Sequence, residues 1–168
     1  MKHKAKQQYD YHHWANNRLL KHLHHLPGEV YSKQVNSVFA TVAEVITHIY
    51  RTDGMWLSVM TGDPLEETMV LIKQHEQEVE GQDLGGMETL YTAMSNKYES
   101  FFRSQEDLDV ILSIEHPKYG KLECSIAELV QHVVNHGTYH RGNITAMLRQ
   151  QGHPGVPTDY VFYLYDKS

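Results

Sequence analysis

The stretch SIAELVQHVVNHGTYHRGNITAMLRQQG, residues 125–152, decides how the rest of the chain is read. Ser125-x-x-Glu128 ahead of an apolar run is a capping-box pattern, in which hydroxyl and carboxylate each satisfy a backbone N–H that a helix start leaves open. Gly152, with Pro154 beyond it, marks the end. Between them Ile126, Leu129, Val133 and Met147 fall on one helical stripe, with Val130 and Ile144 slightly off it. Continued through the middle, that stripe passes through His136 and His140. Residues four apart on a helix share a face, so the two imidazoles can reach one ion. The competing reading is a pair of core histidines, each needing its own partners, because an unmet polar group costs roughly 1–3 kcal/mol. The helix alone leaves both readings open. His132 lies about 12 Å from His140 along the axis, at about 1.5 Å per residue, too far for all three to share an ion. It reads as a flanking residue. Gly137 and Gly142 each cost a helix interior about 1 kcal/mol relative to Ala, and so read as points where a neighbour or ligand approaches the backbone closely.

At 168 residues the chain is long enough for one domain, residues 1–168, with a core of its own. Its net charge of -6 argues against a nucleic-acid partner, since phosphate is held by clustered Lys and Arg. Lys2, Lys4 and Lys6 make only a small patch, and the acidic run from Glu66 to Glu80 would repel a duplex. The one cysteine, Cys124, rules out a disulfide framework and reads as a small buried hydrophobe. With no apolar leader and no stretch of transmembrane length, a cytoplasmic protein without a membrane partner is expected. The 13 histidines are spread along the chain instead of forming a tag-like run.

A first helix is expected from about Lys4 to Leu26, with Tyr11, Ala15, Leu19, Leu23 and Leu26 inward. Most of its histidines, His12, His13, His22, His24 and His25, read as a solvated face. Residues 29–36 read as a polar connection. A second helix runs from Ser37 or Thr41, the latter opening a capping box with Glu44, to Met60 ahead of Thr61-Gly62-Asp63-Pro64. His48 flanks its seam of Val45, Ile49 and Trp56. On its own His48 reads as a solvated or capped residue, but beside His136 and His140 it would complete a three-histidine site. A short acidic helix over Leu65–Val79, a loop over Gly81–Gly86 and a helix over Met87–Ser104 follow. Alternation through Leu108, Val110, Leu112 and Ile114, a turn at Pro117–Gly120, and a return through Leu122 and Cys124 read as a small hairpin or an extended crossover. The aromatic tail after Gly152 is expected to pack over one end of the bundle. The order predicts an all-α four-helix bundle with long crossover connections.

Three segments carry a resemblance to a known family: Tyr11-x-x-Trp14-Ala15-Asn16, Thr47-His48-Ile49, and His136-x-x-x-His140-Arg141-Gly142-Asn143. Together, and in this order, they resemble the DinB family over essentially the whole chain. That resemblance implies a four-helix bundle, often dimeric, in which His48, His136 and His140 hold one divalent metal ion. It also implies kinship with transferases and isomerases that use low-molecular-weight thiols such as bacillithiol or mycothiol on a small-molecule substrate.

Imidazole ligands suit zinc and nickel. Three neutral histidines would leave one position open, as catalytic rather than structural zinc sites do. Two function classes follow: a metal-dependent transferase or hydrolase, or a non-catalytic metal-binding stress-response protein in which the ion only ties two helices. The ion is expected to face a recess toward the interior. Asn135, Tyr139, Arg141 and Asn143 are candidates for a hydrogen bond to a ligand imidazole. Arg141 and Asn143 could equally anchor the next element or lie in solvent.

Overall fold

Each helix that bears on the site starts where a side chain can take up an open backbone N–H. A computed structural model describes residues 3–116 and 118–168; Lys2 of the basic patch and Pro117 of the expected turn lie outside the described residues. Helix α1 spans Lys4–Leu23 and α2 Glu29–Ser32, followed by α3 over Val42–Thr61, α4 over Leu65–Val79 and α5 over Leu84–Ser104. Strands β1, Ile111–His116, and β2, Gly120–Ser125, precede α6, Ile126–Gln150, and α7, Tyr160–Lys167. The Thr41 hydroxyl accepts from the Glu44 N–H at 3.1 Å to open α3. Ser125 and Glu128 close a reciprocal capping box at the start of α6, with bonds of 2.8 and 3.2 Å. At the far end, the His153 N–H reaches Leu148 O at 2.9 Å, across Gly152 at φ 83°. Positive φ is nearly free only for glycine, so the helix stops there.

Helix α6 packs against α1 and α3, and both of those pack against α5, so each of the four long helices touches two others. Helix α4 lies on α3 and α7 on α1. Ala15, Leu19, Val45, Ile49, Met94, Tyr98, Val130, Ile144 and Met147 fill the space between them. Each fully buried aliphatic side chain contributes roughly 1.5–3 kcal/mol. Among the described residues the chain is mostly helical, with seven helices and one two-stranded sheet.

The hairpin reading is the one realised: β1 and β2 pair antiparallel, from Ile111 opposite Ser125 to His116 opposite Gly120. Three expectations need correction. Helix α5 starts three residues before Met87, because the Asp83 carboxylate accepts from the Gly86 N–H at 2.8 Å and holds a first turn that two glycines would otherwise leave loose. The connection over residues 29–36 holds α2, with Val30 buried. The tail does not cap an end of the molecule. Thr158 O accepts from the Tyr11 hydroxyl at 2.8 Å, and the Trp14 indole donates to Asp166 at 2.9 Å, so the tail runs along α1 with Tyr163 buried.

Gly54 shows how close the helices come. A Cβ there would stand 2.1 Å from Cε1 of the buried His75 on α4. Gly54→Ala should therefore lower stability by about 1–3 kcal/mol through overpacking. Gly142, which has nothing within 4 Å of such a Cβ, should instead gain up to about 1 kcal/mol as Ala. Urea unfolding of the two variants should move the midpoint in opposite directions.

Candidate metal centre

Helices α3 and α6 lie side by side, and the three sequence-nominated histidines meet across their seam. His48 Nε2 lies 3.1 Å from His136 Nε2 and 3.2 Å from His140 Nε2. Each residue offers one ligand atom, and the three atoms lie within 4.8 Å of one another. Two nitrogens that are each about 2.0–2.1 Å from one tetrahedral ion stand about 3.3 Å apart. The two spacings from His48 therefore fit an ion with only a slight opening. No carboxylate or thiol joins them within that distance among the described residues.

The electrostatics favour the ligating form. His136 is pushed down to about 3, first by burial and then by His140 and His48. Burial and His48 bring His140 to about 4, and burial also lowers His48. Neutral imidazoles, not imidazoliums, thus occupy the site at neutral pH. His140 is buried while His48 and His136 are half-buried, so the cluster is partly open to solvent. Phe39 walls one side, with its ring centroid 5.1 Å from that of His48 and 5.5 Å from that of His140. His132 stays outside the trio as a flanking residue, exposed and set edge-on to Trp56 at 4.7 Å. A cleft of about 710 Å³ bordered by α1, α5 and α7 includes none of the three histidines.

The family model described as "DinB family" matches residues 1–167. Protein DinB of Bacillus subtilis (strain 168) is 41% identical over 157 residues, covering 94% of this chain and 91% of that protein. The chain belongs to the DinB family. The crystal structure of a DinB-like protein from Bacillus subtilis superposes with a TM-score of 0.64 over 90% of this chain and 96% of that one, at 18% identity. That likeness speaks to the DinB-like fold.

The residues beside the histidines divide. Asn143 Nδ2 stands 3.3 Å from His140 Nδ1. With Nε2 given to an ion, Nδ1 carries the proton, and the Asn143 amide would turn its oxygen to accept it. Tyr139 is mostly exposed and sets its ring edge-on to His140 at 4.9 Å, while Asn135 faces solvent. Arg141 is neither a solvated cation nor a partner of a ligand imidazole. It is 2% exposed and reaches α1, donating to Asn16 Oδ1 at 2.7 Å and, within α6, to Thr138 Oγ1 at 2.9 Å. Cys124 is buried, as expected, with its thiol pushed up by burial.

One residue of this neighbourhood escaped the sequence reading. His12, expected on a solvated face, is 1% exposed, with Nε2 2.8 Å from Asp53 Oδ2 on α3. Gly137 makes room for it, since a Cβ there would stand 2.2 Å from His12 Cε1. The reading of Gly137 as a point of close approach therefore holds, while no neighbour among the described residues approaches Gly142. The available signal was the i, i+4 pair His12 and Asn16 on a helix whose partner carries a glycine and an arginine at the same spacing.

Lowered histidine pKa values make stability pH-dependent in a known direction. Unfolded histidines take up protons near pH 6.5, while folded His140 and His136 resist to about 4 and about 3. Between those limits the unfolded state binds more protons, so stability falls as pH drops from about 6.5. In chelator-treated protein, the urea midpoint should decline from pH 7 to pH 4.5. The decline should be shallower in His136→Gln.

Proposed function

We propose that this DinB-family protein is a single-domain four-helix bundle that binds one divalent ion, zinc or nickel, through His48, His136 and His140, and acts on a small molecule as a metal-dependent enzyme. The observation carrying this reading is that His48 Nε2 lies 3.1 and 3.2 Å from the Nε2 atoms of His136 and His140, with one ligand atom of each residue within 4.8 Å of the others. With no anionic ligand among the three, the ion would supply its full positive charge, lowering the pKa of a water or thiol brought to it. The protein's own part is to present neutral imidazoles, hold His140 through Asn143, and wall the site with Phe39. The reaction class is thiol-dependent transfer with a low-molecular-weight thiol, or hydrolysis. The buried Cys124 does not join the histidine group, so the thiol would come from a co-substrate.

The same reading makes the protein a cytoplasmic homodimer without a nucleic-acid or membrane partner. No helix among the described residues is long and apolar enough to cross a membrane.

Elemental analysis of purified protein should find close to one divalent ion per chain. His48→Ala, His136→Ala and His140→Ala should each lose it, and His132→Ala should keep it. A fully loaded His136→Ala would overturn the site. Metal-loaded protein screened for thiol conjugation and for ester or amide hydrolysis should turn over substrate. Retained metal without turnover in either screen would favour a non-catalytic metal-binding protein.

A further inference from the structure

The residues directly after the two histidines of α6 face a different helix. His136 and His140 look toward His48 of α3; Gly137 and Arg141, one position on, look toward α1. One step along a helix turns about 100°, so the i, i+4 pair that meets one neighbour is shadowed by a second pair that meets the other. On α1 the second pair meets His12 and Asn16, themselves four apart.

These contacts form one buried chain across three helices. Arg141 Nη1 lies 3.3 Å from His12 Nδ1 and 2.7 Å from Asn16 Oδ1. Guanidinium groups only donate, so Nδ1 is left as the acceptor. The His12 proton then sits on Nε2, directed at Asp53 Oδ2 at 2.8 Å, which leaves Asn16 Nδ2, 3.0 Å from the same nitrogen, in contact with it without a hydrogen bond. Asp53, His12 and Arg141 are 1%, 1% and 2% exposed, respectively. Asp53 lies on α3, five positions after His48. Both helices that carry the trio are therefore tied, through one imidazole, to α1.

His136 makes that tie consequential. Its Nδ1 is buried and finds no partner among the described residues, so apart from the contact of its Nε2 with His48 no side-chain hydrogen bond aims the ring. Its direction depends on where the α6 backbone stands, and the seating of Gly137 against the His12 ring sets that position.

We propose that His12, with Asp53, Asn16 and Arg141, is a positioning clamp for the metal centre: it fixes the rotation of α6 relative to α3 so that His136 and His140 meet His48. This rests on the metal reading above and goes beyond it by assigning roles to buried residues that touch no ligand atom.

Cobalt(II), whose visible absorption reports ligand geometry, is the probe. Wild-type protein freed of metal should bind one cobalt per chain. His12→Leu, shown by circular dichroism to be folded at the assay temperature, should bind at least about ten-fold more weakly, the lower end of what lost outer partners typically cost a site. Its absorption bands should also shift. His12→Gln can still donate to Asp53 and should recover part of both. A merely structural role would lower the melting temperature and leave the cobalt spectrum and affinity of the folded protein unchanged, and that result overturns the clamp. Should His12→Leu fail to fold, Asn16→Ala is read in its place. The same weakening supports the clamp, and wild-type affinity and spectrum overturn it. Wild-type protein that binds no cobalt would overturn the metal reading itself and the clamp with it, an outcome distinct from equal binding by wild type and variant.

Discussion

A carboxylate and a guanidinium lie in the interior of this protein, Asp53 at 1% and Arg141 at 2% exposure, and they do not touch each other directly. Taking either charge out of water costs several kcal/mol unless partners compensate it. Part of the compensation runs through His12, which faces Asp53 with one ring nitrogen and Arg141 with the other; Asn16 and Thr138 also accept from Arg141, while Asp53 Oδ1 and Arg141 Nε find no partner among the described residues. Packing of α1, α3 and α6 is therefore constrained by more than apolar complementarity. Leucines can slide by a fraction of a turn at modest cost, but a chain of directional hydrogen bonds cannot. The buried polar chain adds a directional constraint on the register of the three helices that the apolar stripes alone do not supply.

That constraint would bear on chemistry at the proposed metal site, because a site with three ligands is intolerant of slippage. Bond lengths of about 2.0–2.1 Å allow errors of only a few tenths of an ångström. Two of the histidines share a helix and move together, so their relative placement is settled by the i, i+4 spacing alone. The third, His48, comes from a separate helix and must be brought to the pair by tertiary structure. Tyr91 and Tyr98 of α5 add to this by donating from their hydroxyls to Ile46 O and Asp53 O of α3, both at 2.8 Å. The helix bearing the lone histidine is thus held on both flanks, by α5 through two tyrosines and by α1 through His12.

Much of this was legible in the chain. The capping hydroxyls at Thr41 and Ser125, the glycine stops at Gly62 and Gly152, and the 3.6-residue stripes place α3 and α6 to within two residues. His136 and His140 stand out because they interrupt an apolar stripe. His48 does not interrupt one, and only the pair and the family resemblance single it out. His12 stayed hidden for the converse reason. It is one of five histidines between residues 12 and 25, three of them on α1, and its i, i+4 pairing with Asn16 is matched by that of His13 with Asn17. Burial of a polar residue is decided by what faces it, here the bare backbone of Gly137 and an arginine 129 positions away. The direction of the tail was equally out of reach, since it depends on single bonds from Tyr11 and Trp14 and not on any periodicity.

The two glycines of the HGTYHRG segment show how one residue type can carry unlike meanings. Both lie inside α6, where a glycine costs about 1 kcal/mol relative to Ala. At Gly137 the missing methyl is space that the His12 ring occupies, so the helix penalty is offset by a contact no other residue would permit. At Gly142 the space is empty, and nothing in the structure accounts for the glycine. A glycine's cost therefore points to a purpose only where a neighbour can be named. For Gly137 that neighbour is the residue through which a buried acid and a buried base are reconciled, and its ring seats the backbone between two histidines of the trio.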